Sequence, residues 1–163
     1  MAIKAILACD ERGGVGKDGT LPWPNNSKDL KWFKDNTTGH VIVMGSSTWN
    51  DPHMPCPMPN RINVVVTNQD ESNFDCDGIL KGDLNLATLR LQDMYTDKDI
   101  WLIGGPKIIE QTLGIIEEFY ISRIPGNYSC DTFLPLTKIN TLFERTWQEV
   151  HPEVTFEIWK KKK

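Results

Sequence analysis

The sequence lacks the patterns that most quickly assign a role. Its four cysteines, Cys9, Cys56, Cys76 and Cys130, include no CxxC pair, and its three histidines, His40, His53 and His151, have no ligand spacing. A disulfide framework and a structural metal are therefore disfavoured, and reduced thiols in a cytoplasmic setting are expected. No apolar run approaches the ~20 residues needed to cross a bilayer. The apolar stretch after Met1-Ala2-Ile3-Lys4 is too short for a signal peptide and precedes no small-residue cleavage site. Positive charge is scarce as well. The formal net charge is -4, and the one basic run, residues 160–163, reads as a solvated, frayed end. Neither a nucleic acid nor a membrane is an expected partner. The GxGxxG fingerprint of the standard dinucleotide fold is missing, and no Ser-His-Asp or Cys-His combination suggests a covalent mechanism.

What is present is an ordinary globular composition, with 39% hydrophobic and 25% charged residues. A chain of this length can bury roughly 68–70% of its unfolded surface, so residues 1–163 are expected to form one domain without staples. Short apolar runs at 2–9, 40–44, 61–67, 79–81, 99–103 and 119–124 predict strands, and 143–150 with 153–160 predict two more around His151-Pro152. Helices are expected at 28–35, capped by Asn26 or Ser27, in a short turn from Ser46, at 86–95 and at 106–113, where Pro106 takes the favoured first position. Prolines 52, 55, 57 and 59 hold the intervening stretch extended. Strands alternating with helices predict the α/β class, with a mostly parallel central sheet, helices on both faces and an antiparallel C-terminal hairpin.

Ligands of open α/β sheets bind beyond the carboxyl ends of the strands, and three features fall there. Met44-Gly45-Ser46-Ser47-Thr48 and Ile103-Gly104-Gly105-Pro106-Lys107 are strand-to-helix turns whose glycines admit an anion to the backbone. Either alone is as readily a structural turn; two in one chain favour a ligand with several phosphates. The third is a long glycine-rich loop, residues 10–26, running into Asp29. Loops of this length in compact domains are usually functional. Near a helix start a carboxylate is often only a dipole partner. This one is flanked by Leu21-Pro22-Trp23, Leu30, Trp32 and Phe33. Apolar walls disfavour its charged form unless a donor pairs with it, and a flat heterocycle with an amino group beside a ring N–H would pair bidentately.

Taken in order, these segments resemble dihydrofolate reductase across nearly the whole chain. The residues that carry the likeness are Val15-Gly16, Leu21-Pro22-Trp23, residues 29–34 with Thr37, Val43-Met44-Gly45 with Thr48-Trp49, residues 57–61, Ile103-Gly104-Gly105, and Asp131-Thr132 with Pro135. The resemblance implies NADPH as cofactor and dihydrofolate as substrate; a monomer is the default expectation, because the sequence marks no exposed apolar stripe. It implies that Asp29, assisted by Ser122, holds the pterin, while Leu30, Phe33 and Met54 line its pocket and Arg61 pairs with the substrate's α-carboxylate. Ile6, Leu7, Ala8 and Ile103 would floor the pocket, Leu21 would close it, and Trp23 would hold a water near Asp29. Toward the cofactor it implies Ala8, Val15, Gly16, Gly45, Ser46, Ser47, Thr48, Thr67, Asn68, Lys81, Ile103, Gly104, Gly105, Pro106, Lys107, Ile108, Gln111 and Thr132.

Three positions depart from the family pattern. Ser46 stands where arginine commonly grips the 2′-phosphate, Thr67-Asn68 where a second basic residue often follows the strand, and Ile109 where an aromatic is frequent. Lys107, Lys81 and the hydroxyls of Ser47 and Thr67 are candidates to replace the lost charge. Two other readings stay open at this point: the related reductase of the riboflavin pathway, against which Asp29 and Arg61 argue, and a non-catalytic relative that keeps the fold.

Overall fold

Alternation along each strand decides which helices cover which face of the sheet. The computed structural model describes residues 2–17, 21–24, 26–51 and 56–163. Its strands are β1 (Ile3–Cys9), β2 (Gly14–Gly16), β3 (Val41–Gly45), β4 (Ile62–Val66), β5 (Gly78–Leu80), β6 (Ile100–Gly104), β7 (Glu118–Arg123), β8 (Thr132–Phe133), β9 (Phe143–Val150) and β10 (Thr155–Lys161). The α-helices are α1 (Ser27–Thr37), α2 (Ser46–Trp49), α3 (Leu84–Met94), α4 (Pro106–Thr112) and α5 (Leu136–Leu142). Eight strands form one sheet in the order β5-β4-β3-β6-β1-β7-β10-β9. The first six run parallel, whereas β10 pairs antiparallel with both β7 and β9. On one face Ile3, Ala5, Val43, Leu102 and Ile121 pack with Leu91 of α3, Ile109 of α4 and Ile139 of α5. On the other, Ile6, Ile42, Met44 and Trp101 meet Trp32 and Phe33 of α1 and Trp49 of α2. This is the expected α/β arrangement with both faces covered.

Every expected element is present, with ends shifted by no more than two residues. Two elements the periodicity does not announce are the ribbon made by β2 and β8, and helix α5. The ribbon runs antiparallel and joins β2, in the long glycine-rich segment, to the distant β8. Strands of two and three residues are too short to show an alternation. Helix α5 is a seven-residue helix that buries Ile139, and its start at Pro135 was the one available signal.

The root of the ribbon is fixed by Asp10, which has no exposed surface. Its carboxylate accepts the backbone N–H groups of Arg12 and Gly14 at 2.9 Å and of Tyr128 at 3.1 Å, and the Cys130 thiol at 3.5 Å. Burial opposes its ionisation, but the amides of Tyr128, Gly14 and Arg12 outweigh that and hold the carboxyl below the usual carboxylate range. A β-carbon at Gly14 would stand 2.4 Å from that of Cys130, so only glycine fits there.

Candidate active site

At the carboxyl ends of β1, β3 and β6 lies a cleft of about 550 Å³. Ile6, Leu7 and Ala8 of β1 and Ile103 of β6 floor it. The ribbon contributes Val15, Gly16 and Thr132, and the segment before α1 contributes Leu21, Trp23 and Pro24. Asn26, Asp29, Leu30 and Phe33 form the α1 wall. Opposite stand Gly45, Ser46, Ser47 and Thr48 at the β3–α2 turn, and Gly104, Gly105, Pro106, Lys107, Ile108 and Gln111 at the β6–α4 turn. Asp51 and Val66 complete the wall.

Asp29 reaches the cleft because Asn26 starts α1. The Asn26 side chain accepts the Asp29 backbone N–H at 3.1 Å, which fixes the carboxylate within the first helical turn. Phe33, one turn on, shares its face. Burial pushes the Asp29 carboxyl above the ordinary carboxylate range, and the approach of the Ser122 hydroxyl pulls it partly back. Ser122 is fully buried on β7, in register with Ala8, and its Oγ completes no hydrogen bond of good geometry. Among the described residues no cationic side chain pairs with this half-buried carboxylate, which suits it to a ligand that brings its own donors.

The two glycine turns differ in how tightly they are built. Neither helix start has a side-chain cap, because Gly45 and Gly105 stand at the N-cap positions of α2 and α4. At Gly105 a β-carbon would meet nothing within 4 Å, whereas at Gly45 it would stand 2.9 Å from Ile108 Cδ1. Gly104 has φ +125° and is joined to Gly105 by a cis peptide.

Other expected site residues stand apart from this wall. Arg61 donates to the Pro59 carbonyl at 3.0 Å and to Thr37 Oγ1 at 3.1 Å, with its guanidinium carbon 6.0 Å above the centre of the Phe33 ring. It therefore flanks the Phe33 end of the cleft. The buried Asn63 holds the preceding turn through paired bonds with Met58, each 2.9 Å. Thr67 is buried, and its hydroxyl accepts the Gln69 N–H. Asn68 and Lys81 are exposed beyond β4 and β5, and Lys81 acts on Asp70. None of these three borders the cleft. Ile109 is fully buried in the core. Met54 lies outside the described residues. Sequence reasoning missed Pro24, Asn26, Asp51 and Val66 as wall residues. Asn26 was visible only as a helix cap, and Asp51 follows a four-residue helix with no pattern to mark it.

Among the described residues no helix is long and apolar enough to cross a membrane, and no group of three or more His, Cys, Asp and Glu could hold a metal. The family model described as dihydrofolate reductase matches residues 2–160. The chain is 30% identical to the dihydrofolate reductase of Haemophilus influenzae over 162 residues, covering 99% of this chain and 89% of that protein. It is 32% identical to the dihydrofolate reductase of Drosophila melanogaster over 141 residues, covering 80% and 77%. A solved structure of the Enterococcus faecalis dihydrofolate reductase, complexed with NADP(H) and RAB-propyl, has a similar fold. Its TM-score is 0.80 at 23% identity, covering 99% of this chain and 97% of the other.

Proposed function

This chain belongs to the dihydrofolate reductase family, and we propose that its cleft carries the family's reduction of 7,8-dihydrofolate to tetrahydrofolate through a division of labour centred on Asp29. The observation that carries this reading is a half-buried carboxylate with a raised pKa facing two uncapped glycine turns across one cleft. NADPH supplies the hydride that adds to carbon 6 of the substrate. The chain's own residues do the rest.

Asp29 holds the pterin through its amino group and ring nitrogen, and Ser122 Oγ offers the buried hydroxyl that completes this end. Asp29 polarises the bound ring, and a water admitted past Leu21 carries the proton to nitrogen 5. Leu30 and Phe33 pack on the pterin and benzoyl groups, and Arg61 takes the α-carboxylate, a task suited to a planar guanidinium. Val15, Gly16 and Leu21 exclude bulk water from the reacting face.

The residues present fit a dinucleotide. Gly105 leaves room for close approach, and the uncapped amides of α2 and α4 offer donors to phosphate oxygens. Ser46, Ser47, Thr48 and Lys107 would hold that end. Lys107 is the one cationic side chain among the described wall residues, set against the carboxylates of Asp29 and Asp51. It is therefore the best-placed substitute for the arginine replaced by Ser46, ahead of Lys81 and Thr67. Steady-state kinetics with NADPH and NADH test this. Lys107→Ala should raise the KM for NADPH about five-fold, the scale of an exposed charge pair, and leave NADH nearly unaffected. Equal use of the two cofactors by the parent would contradict the NADPH assignment. The four free cysteines support a reducing, cytoplasmic setting, and the protein acts as a monomer in this reading.

A further inference from the structure

The wall of the cleft beside Asp29 is unevenly supported. Farther along α1, Trp32 stacks on Phe156 at 4.4 Å and on Trp147 at 5.6 Å, and Thr37 is buried. The first turn has no such packing. Trp23, Pro24 and Asn26 are shared between the cleft and a second cavity of about 310 Å³ behind them, lined also by Tyr128, Pro152 and Glu153. Trp23 is packed against Tyr128 and the cluster around Val154 there, whereas Pro24 and Asn26 border the cavity.

One side chain crosses that gap. Asn26 Oδ1 accepts the Asp29 N–H at 3.1 Å, while Asn26 Nδ2 donates to the Glu153 carbonyl at 2.9 Å. Glu153 lies in the turn between β9 and β10, which is itself closed by the bond from His151 N–H to the Val154 carbonyl at 3.0 Å. Val154 is fully buried in the cluster that includes Trp23 and Phe156. The only other tie between the first turn and this hairpin among the described residues is the exposed Lys28–Glu153 pair at 3.6 Å, a contact worth little in water.

We propose that Asn26 is a positioning residue for the reaction: its amide bridges the peptide of Asp29 to the Glu153 carbonyl and so sets where the carboxylate stands in the cleft. This rests on the proposed function for its catalytic consequence, but its structural consequence can be read without substrate. A helix cap needs only the acceptor, so the donor half of the amide is what separates bridging from capping. Serine keeps a good cap and is too short to reach Glu153. Aspartate keeps the acceptor, loses the donor and adds a like charge beside Asp29. The other charged groups around Asp29 are Lys28 on its own helix, Glu153 on the hairpin, and Asp51 and Lys107 on the cleft wall.

The test is a carboxyl-carbon NMR titration of Asp29 in the ligand-free parent, Asn26→Ser and Asn26→Asp, with thermal melts and dihydrofolate kinetics on the same samples. In Asn26→Ser the loosened first turn admits water, so the Asp29 midpoint should fall toward the ordinary carboxylate value. The melting temperature should stay near the parent's, and kcat/KM for dihydrofolate should drop about tenfold, with the KM for NADPH unchanged. In Asn26→Asp the midpoint should lie above that of Asn26→Ser. An Asn26→Ser midpoint equal to the parent's overturns the proposal and leaves Asn26 a helix cap. A parent that titrates as described but does not turn over dihydrofolate would count against the proposed function and not against the bridge.

Discussion

Replacing Asp29 by asparagine is expected to stabilise the protein at neutral pH while removing most of its turnover. Burial raises the carboxyl's folded-state pKa above its unfolded value, with Ser122 opposing only in part. The neutral form is therefore the one the fold prefers. A group raised in this way contributes its full stability below the unfolded pKa of about 3.9, and that contribution is lost as pH rises through the folded pKa. At neutral pH the parent bears the cost of a carboxyl whose charged form the site disfavours, and an amide of the same shape removes that cost. Urea unfolding across pH 4–8 should show the variant's advantage growing as pH rises and vanishing at the acid end. Turnover should fall by about 10²–10⁴, the range over which a positioned acid–base group acts. A variant less stable than the parent at neutral pH would show that Asp29 has a charged partner in the folded state.

Gly104→Ala should damage both the fold and the site. Its φ of +125° is a conformation that side-chain-bearing residues rarely adopt, which costs about 1–3 kcal/mol. The added β-carbon would stand 3.2 Å from Leu7 Cδ2 and 3.7 Å from Thr48 Oγ1, and both residues line the cleft. Leu7 must then move along the floor, so affinity for cofactor and substrate should fall with stability. Gly105 is the built-in control. Its φ of -82° is ordinary, and an added β-carbon meets nothing within 4 Å. Gly105→Ala should melt with the parent, and any loss of NADPH affinity there measures how closely the cofactor approaches the backbone. Melting curves of the two variants side by side separate strain from site. Equal stability of both would contradict the account of Gly104.

The strands and longer helices were legible because each buries apolar residues with a clear period. Val41, Ile42, Val43 and Met44, a short β-branched apolar run, read as a strand covered on both faces, and that is where they are. Asp29 and the glycine turns were legible as chemistry only through their order along the chain; singly each is a common structural device. What stayed hidden is what depends on contacts between distant residues. Asp10 gathers donors from residues 12, 14, 128 and 130, and nothing local to Asp10 signals the last two. Asn26 reaches Glu153 across 127 positions of sequence. Thr67, Asn68 and Lys81 follow the outer strands β4 and β5 as Ser46 and Lys107 follow β3 and β6, yet of that outer pair only Val66, at the end of β4, reaches the cleft. Position relative to a strand end was readable; position of that strand within the sheet was not.

We propose that Asp29 makes this cleft a site for reducing dihydrofolate. This is tested most directly by following NADPH oxidation in a single turnover at neutral pH, with and without dihydrofolate, in the parent and in Asp29→Asn. Oxidation should require dihydrofolate in the parent and be slowed at least a hundredfold in the variant, on the scale of a lost acid–base group. Oxidation independent of dihydrofolate, or an Asp29→Asn variant as fast as the parent, would contradict the proposal.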